Sequence, residues 1–284
     1  MSAVARLAGF AAILAVVFGA SAFAGSRLDV RSGSAAGETT MGTMSAAEDE
    51  HAAGKMPQAV RGLAVSDRGL TLELARTTGP RGKRFDLAFR VVDRQGRTVR
   101  DFDVEHTKRM HVIVVRRDMT GFQHLHPTAG PDGTWSVPVT LRDAGSYRMF
   151  ADFAVDGKPY TLAGDLSVDG AVRAHVSPAP VMRADVDGLQ VRLRERAADA
   201  GRESALAFDV TRDGRPVAVQ DYLGAKGHLV VLRQGDLAFL HVHPEENRLE
   251  FEATFPTAGG YRLFLQFKTD GRVHTAAFTQ EVTR

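Results

Sequence analysis

Apolar and polar residues alternate with a period of two along much of this chain. Trp135, Val137, Val139 and Leu141 alternate with Thr134, Ser136, Pro138 and Thr140, and Leu249, Phe251, Ala253 and Phe255 with Glu250, Glu252 and Thr254. That period predicts strands with one face buried and one wet. No long amphipathic helix pattern is evident. The strand-like segments also recur. LAFRVVDRQGRTV (87–99) is matched by LAFDVTRDGRPV (206–217), and AGSYRMFADF (144–153) by AGGYRLFLQF (258–267). Each of the latter pair is followed by an Asp-Gly turn, Asp156-Gly157 and Asp270-Gly271. The Ala-Gly-x-Tyr step would place Tyr147 and Tyr261 as tyrosine corners of immunoglobulin-like domains. The expected fold is all-β: two tandem immunoglobulin-like antiparallel sandwiches, with a cupredoxin-like sandwich as the close alternative. The repeats are expected at 58–169 and 181–284, joined by a proline-containing connector, 170–180.

The N-terminal part departs from this pattern. Residues 7–26 carry no charge, and Ala22-Phe23-Ala24 offers a small-x-small cleavage site. Residues 1–24 are therefore read as a signal peptide or a membrane anchor, the two alternatives staying open. Residues 25–57, rich in Ser, Gly, Ala and Thr, are expected to form a flexible linker. Met41, Met44, His51 and Met56 in it, beside Glu48, Asp49 and Glu50, could catch copper loosely, although a solvated tether explains them as well. Export to the cell envelope is the expected location.

Composition narrows the function. The 284 residues hold 36 basic and 34 acidic side chains and no cysteine. No basic block interleaved with aromatics points to nucleic acid. Thiolate metal sites and disulfides are excluded. No nucleophile elbow, phosphate loop or cysteine nucleophile is present, so an enzyme is not expected.

The candidate chemistry lies in a doubled hairpin. HVIVVRRDMTGFQHLHP (111–127) and HLVVLRQGDLAFLHVHP (228–244) each carry three histidines at identical spacing: His111, His124 and His126, then His228, His241 and His243. If Gly235-Asp236 forms a two-residue turn, His228 falls opposite His243, and His241 shares their face. The same pairing in the first copy clusters its three imidazoles. Gly121 there would allow a bulge. Neighbouring strands bring such side chains within reach of one ion. His106 and Met110 are additional candidates beside the first cluster, and His274 beside the second. Three imidazoles suit copper or zinc, and the methionine leans the expectation towards copper. The competing reading makes the histidines structural: both faces of the hairpin strands are apolar, so buried rings could hydrogen-bond their neighbours with no metal, in a module that packs or binds a protein partner of unknown kind.

HVIVVRRDMTGFQHLHP, AGSYRMFADF, LGAKGHLVVLRQGDLAFLHVHP and AGGYRLFLQF resemble a group of bacterial exported or membrane-anchored tandem-domain proteins. Single units are similar to the YtkA-like domain. The resemblance covers residues 58–284 and implies an envelope location and an immunoglobulin-like fold. It also implies association with copper or another heavy metal. The doubled three-histidine hairpin makes an envelope metal-binding protein, for non-catalytic scavenging, delivery or sensing, the expected function.

Overall fold

The alternating segments become strands of two sandwiches. A computed structural model describes residues 60–284 except 174, 177, 195–197 and 241. The expectations for the N-terminal segment, the linker and its Met and His residues lie outside the described residues. Among the described residues no helix is long and apolar enough to cross a membrane.

In the first repeat one sheet runs, in order, Ser66–Asp67, Leu70–Leu74, Arg84–Val92, Trp135–Thr140 and Thr128–Ala129. The other runs Gln123–Leu125, His111–Arg116, Gly145–Val155 and Lys158–Val168. Between them Leu87, Phe89, Val112, Val114, Trp135, Tyr147 and Met149 form a buried core. The second repeat follows the same plan around Leu206, Phe208, Leu229, Val231, Phe251, Tyr261 and Phe278. Both tyrosine corners form. Tyr147 donates to the Asp143 carbonyl and Tyr261 to the Thr257 carbonyl, each at 2.8 Å. The fold is thus a tandem pair of immunoglobulin-like sandwiches.

A third apolar cluster explains why the hairpin strands are apolar on both faces. Ile113, Val115, Met119, Phe150 and Ala163 of the first repeat pack on Val230, Leu232, Leu237, Phe239 and Phe264 of the second. The two hairpin-bearing sheets therefore face each other, and each strand has a core on either side. The contact is pseudo-symmetric. Phe122 stacks on Phe264 (4.1 Å between centroids), while its counterpart Phe239 meets Phe150 (5.6 Å), the counterpart of Phe264. This repeats inside one chain the self-complementary logic of a two-fold dimer. The chain entering the first repeat is pinned between both. Gly62 N–H donates to the Thr161 carbonyl and Phe239 N–H to the Arg61 carbonyl.

Candidate metal centre at the repeat interface

The first hairpin has the expected register. Val112 pairs with Leu125, Ile113 with His124, and Val114 with Gln123; extended by one step, His111 falls opposite His126. Nearer the turn, Arg116 N–H donates to the Thr120 carbonyl, so the register shifts by one residue at Gly121 (φ 64°), a bulge. Pleating then sends His111, His124 and His126 to one face, the face turned towards the second repeat. One ring nitrogen from each lies within 4.8 Å of the others. Ring centroids are 5.3, 5.0 and 4.9 Å apart. A shared ion with bonds of about 2 Å in tetrahedral geometry calls for centroids roughly 5 Å apart.

With the Gln266 amide in this orientation, the hydrogen bonds set which nitrogens carry protons. His111 Nε2 faces the Glu105 carbonyl at 3.2 Å and His124 Nδ1 faces Gln266 Oε1 at 2.8 Å. Oxygens of this kind only accept, so both of those nitrogens are N–H in the neutral rings. The remaining two, His111 Nδ1 and His124 Nε2, are then lone-pair nitrogens 3.1 Å apart. His126 Nε2 is buried with no partner. Burial, the largest cause, holds the His111 and His124 pKa below the usual imidazole value; nearby histidines lower the His124 value further. His126 is pushed down to about 4 by burial and by His111. At neutral pH the three rings are therefore uncharged, and His111 and His124 present lone-pair nitrogens to each other. A bound cation would relieve that arrangement.

The second repeat supplies the other wall. His228, Gln266 and Thr275 lie side by side across three strands, as His111, Asp152 and Thr161 do in the first. Gln266 reaches across to hold His124. His228 Nε2 donates to the Tyr222 carbonyl, as His111 does to Glu105. Burial, and then the neighbouring imidazoles, depress the His228 pKa to about 4. Its ring lies 6.2 Å from His111, 6.0 Å from His124 and 5.2 Å from His106. Burial raises the Asp152 pKa, against the lowering effect of the Thr161 hydroxyl and the Arg61 charge. Glu105, His106, His111, His124, Asp152 and His228 line a cleft of about 60 Å³ between the repeats.

The other expected positions fall elsewhere. The second hairpin keeps the expected register as far as it is paired, with Val231 opposite Leu240 and Leu232 opposite Phe239. Its turn is longer than expected: Arg233 and Ala238 close a four-residue loop with Leu237 at φ 62°. His243 belongs to the opposite sheet, where it pairs with Glu252. Leu240 and Val242 stay packed on the second core, and His243 is exposed. His228 and His243 are thus on different sheets, and His228 turns to the first repeat's histidines instead. His241 lies outside the described residues. Met110 is buried in the first sandwich's core, on the opposite side of its strand from His111. His274 is occupied on both nitrogens, by Asp187 at 2.7 Å and Thr269 at 3.0 Å, as a buried structural residue. Gln266 was not a sequence candidate. The available signal was a polar residue in the same place of both AGSYRMFADF and AGGYRLFLQF, Asp152 and Gln266.

The fold and site define a tandem β-sandwich protein with an imidazole cluster where its two repeats meet. The chain belongs to a family described as a domain of unknown function, DUF8832, which matches residues 64–170 and 184–284. No curated protein matches it. Solved structures similar to it include the Escherichia coli adhesin FdeC, at 12% identity and a TM-score of 0.27, covering 78% of this chain and 66% of the adhesin. Salmonella alpha-2-macroglobulin follows at 14% and 0.29, covering 80% of this chain and 15% of that one. The fibronectin(III)-like modules of Clostridium thermocellum CbhA follow at 13% and 0.23, covering 75% and 93%. The chain spans less than two thirds of the first two.

Proposed function

We propose that this protein binds a divalent transition-metal ion, copper or zinc, at His111, His124 and His126, and serves in the cell envelope as a non-catalytic scavenger, carrier or sensor. The observations that carry the reading are the convergence of three imidazoles, one ring nitrogen of each within 4.8 Å of the others, and a His126 Nε2 that is buried without a partner. Protein interiors rarely leave such groups unpaired without a reason. With Met110 in the core, the donor set is all nitrogen, which suits Zn(II) and Cu(II) alike. The hydrophobic N-terminal run and the resemblance to exported, metal-associated β-domains support the envelope location. The full chain, purified without an affinity tag, is expected to bind one Zn(II) or Cu(II). The triple variant His111→Ala, His124→Ala, His126→Ala is expected to bind none at this centre. Equal stoichiometry in both would end the proposal.

One observation favours a purely structural role: His111 Nδ1 and His124 Nε2 lie 3.1 Å apart, a distance that suits a shared proton. Turning the Gln266 amide by half a turn lets its NH₂ donate to His124 Nδ1. His124 Nε2–H could then donate to His111 Nδ1, and the Gln266–His124–His111 chain would close without an ion, with His126 Nε2 still unpaired. Nitrogen-15 NMR of the histidine tautomers in chelator-treated protein separates the two. A proton on His124 Nδ1 fits the metal centre, and a proton on Nε2 fits the closed network.

A further inference from the structure

We infer that His228 of the second repeat is the fourth ligand of this centre, so that the bound ion joins the two sandwiches. The inference rests on the metal-binding reading above and adds to it the source of the fourth donor. His228 comes from a different repeat, and no spacing rule within one hairpin would select it.

Three observations lead there. His228 Nε2–H is committed to the Tyr222 carbonyl, so Nδ1 carries the lone pair, as in His111. Its ring lies 6.0 Å from His124 and 6.2 Å from His111. A ring sharing the ion would stand roughly 5 Å away, so His228 is about 1 Å too far from these two rings as it stands, and binding would draw it in. The second repeat already grips the cluster through Gln266, which pairs with His228 in the sheet and faces His124 at 2.8 Å. The strand that carries His228 is therefore already held against the cluster.

His106 is the competing donor, with its ring 5.2 Å from His228 and 6.2 Å from His111. It sits exposed on the tip of a turn, whereas His228 is half-buried within the cleft and near two of the three ligands. The geometry favours His228.

The test uses the full chain with Zn(II) for affinity, by chelator competition, and Co(II) for coordination, by visible absorption. Wild type is compared with His228→Ala, His106→Ala and the triple His111, His124, His126→Ala variant. Urea unfolding in chelator first checks that each variant is folded. His228→Ala is expected to lose Zn(II) affinity by at least the roughly 10- to 100-fold that removal of an outer partner costs. Its Co(II) bands should change in energy and intensity, and its thermal stabilisation by Zn(II) should shrink. His106→Ala should leave affinity and spectrum near wild type. If His228→Ala binds like wild type while the triple variant does not, His228 is not a ligand, and the three-histidine site stands without it. If His106→Ala takes the loss instead, the fourth donor is His106 and this inference is overturned. If wild type binds neither ion, the metal-binding reading falls and this inference with it.

Discussion

The hairpins 111–127 and 228–244 carry histidines at identical spacing and the same register as far as they are paired, yet they end differently. In the first, pairing runs to Leu125 and the chain joins the opposite sheet only at Thr128, so His126 stays on the interface face. In the second, among the described residues, pairing reaches Leu240, and His243 is already in the opposite sheet. Where a strand leaves its sheet decides whether a distal histidine belongs to a cluster. Spacing and parity alone do not determine that point.

The sharpest way to break this comparison is to remove a histidine from each hairpin. His126→Ala should weaken Zn(II) binding about 1000-fold, on the order of 4 kcal/mol. His243→Ala, an exposed substitution, should leave binding within about twofold, less than 0.5 kcal/mol. Chelator competition measures both. Equal losses would mean that the two hairpins contribute alike.

The repeats, the strands, the tyrosine corners and the shared face of His111, His124 and His126 were all legible in the sequence, because period two and turn chemistry are local. The meeting of the two repeats was not. Phe122 and Phe264 lie 142 positions apart, and nothing in either segment names the other as its partner. Strands apolar on both faces did carry the sign that each hairpin sheet is covered twice. The proper inference from that sign was a contact between the repeats, and with it a single shared histidine cluster. Phe264→Ala tests the weight of this contact. It removes the stack on Phe122 and leaves a cavity in the interface, and should cost about 3 kcal/mol in urea unfolding with chelator present. A loss below about 1 kcal/mol would mean that the sandwiches stand independently.

Acid should act on the interface next in magnitude. Folded His126 and His228 have pKa values of about 4, against 6.5 when unfolded. Between those values the unfolded chain binds more protons, so stability is complete above pH 6.5 and falls as the pH drops towards 4. The loss should be on the order of 2 kcal/mol for the pair after allowance for solvent screening. Urea midpoints at pH 7 and pH 4.5, taken in chelator, measure it, and His228→Gln should flatten the slope. Stability unchanged across that window would mean the rings are not held in the neutral form.

The smallest expected effect concerns the two turns over the cleft. Glu105 to Lys108 and Tyr222 to Ala225 are both closed by reciprocal backbone hydrogen bonds, with left-handed residues at both central positions. The second repeat has Leu223 and Gly224 there; the first has His106 at φ 47° and Thr107 at φ 67°. A β-branched residue resists that conformation, which typically costs 1–3 kcal/mol, whereas glycine adopts it freely but loses more entropy on folding. Thr107→Gly should therefore stabilise the fold by about 0.5–1 kcal/mol, and Gly224→Thr should destabilise it by about 1 kcal/mol, for the same reason read in reverse. The strained turn still holds the Glu105 carbonyl that orients His111. If Thr107→Gly leaves Zn(II) affinity unchanged while raising the urea midpoint, the strain is incidental to the site. If affinity falls as stability rises, the rigid turn is what keeps His111 Nδ1 aimed at the ion.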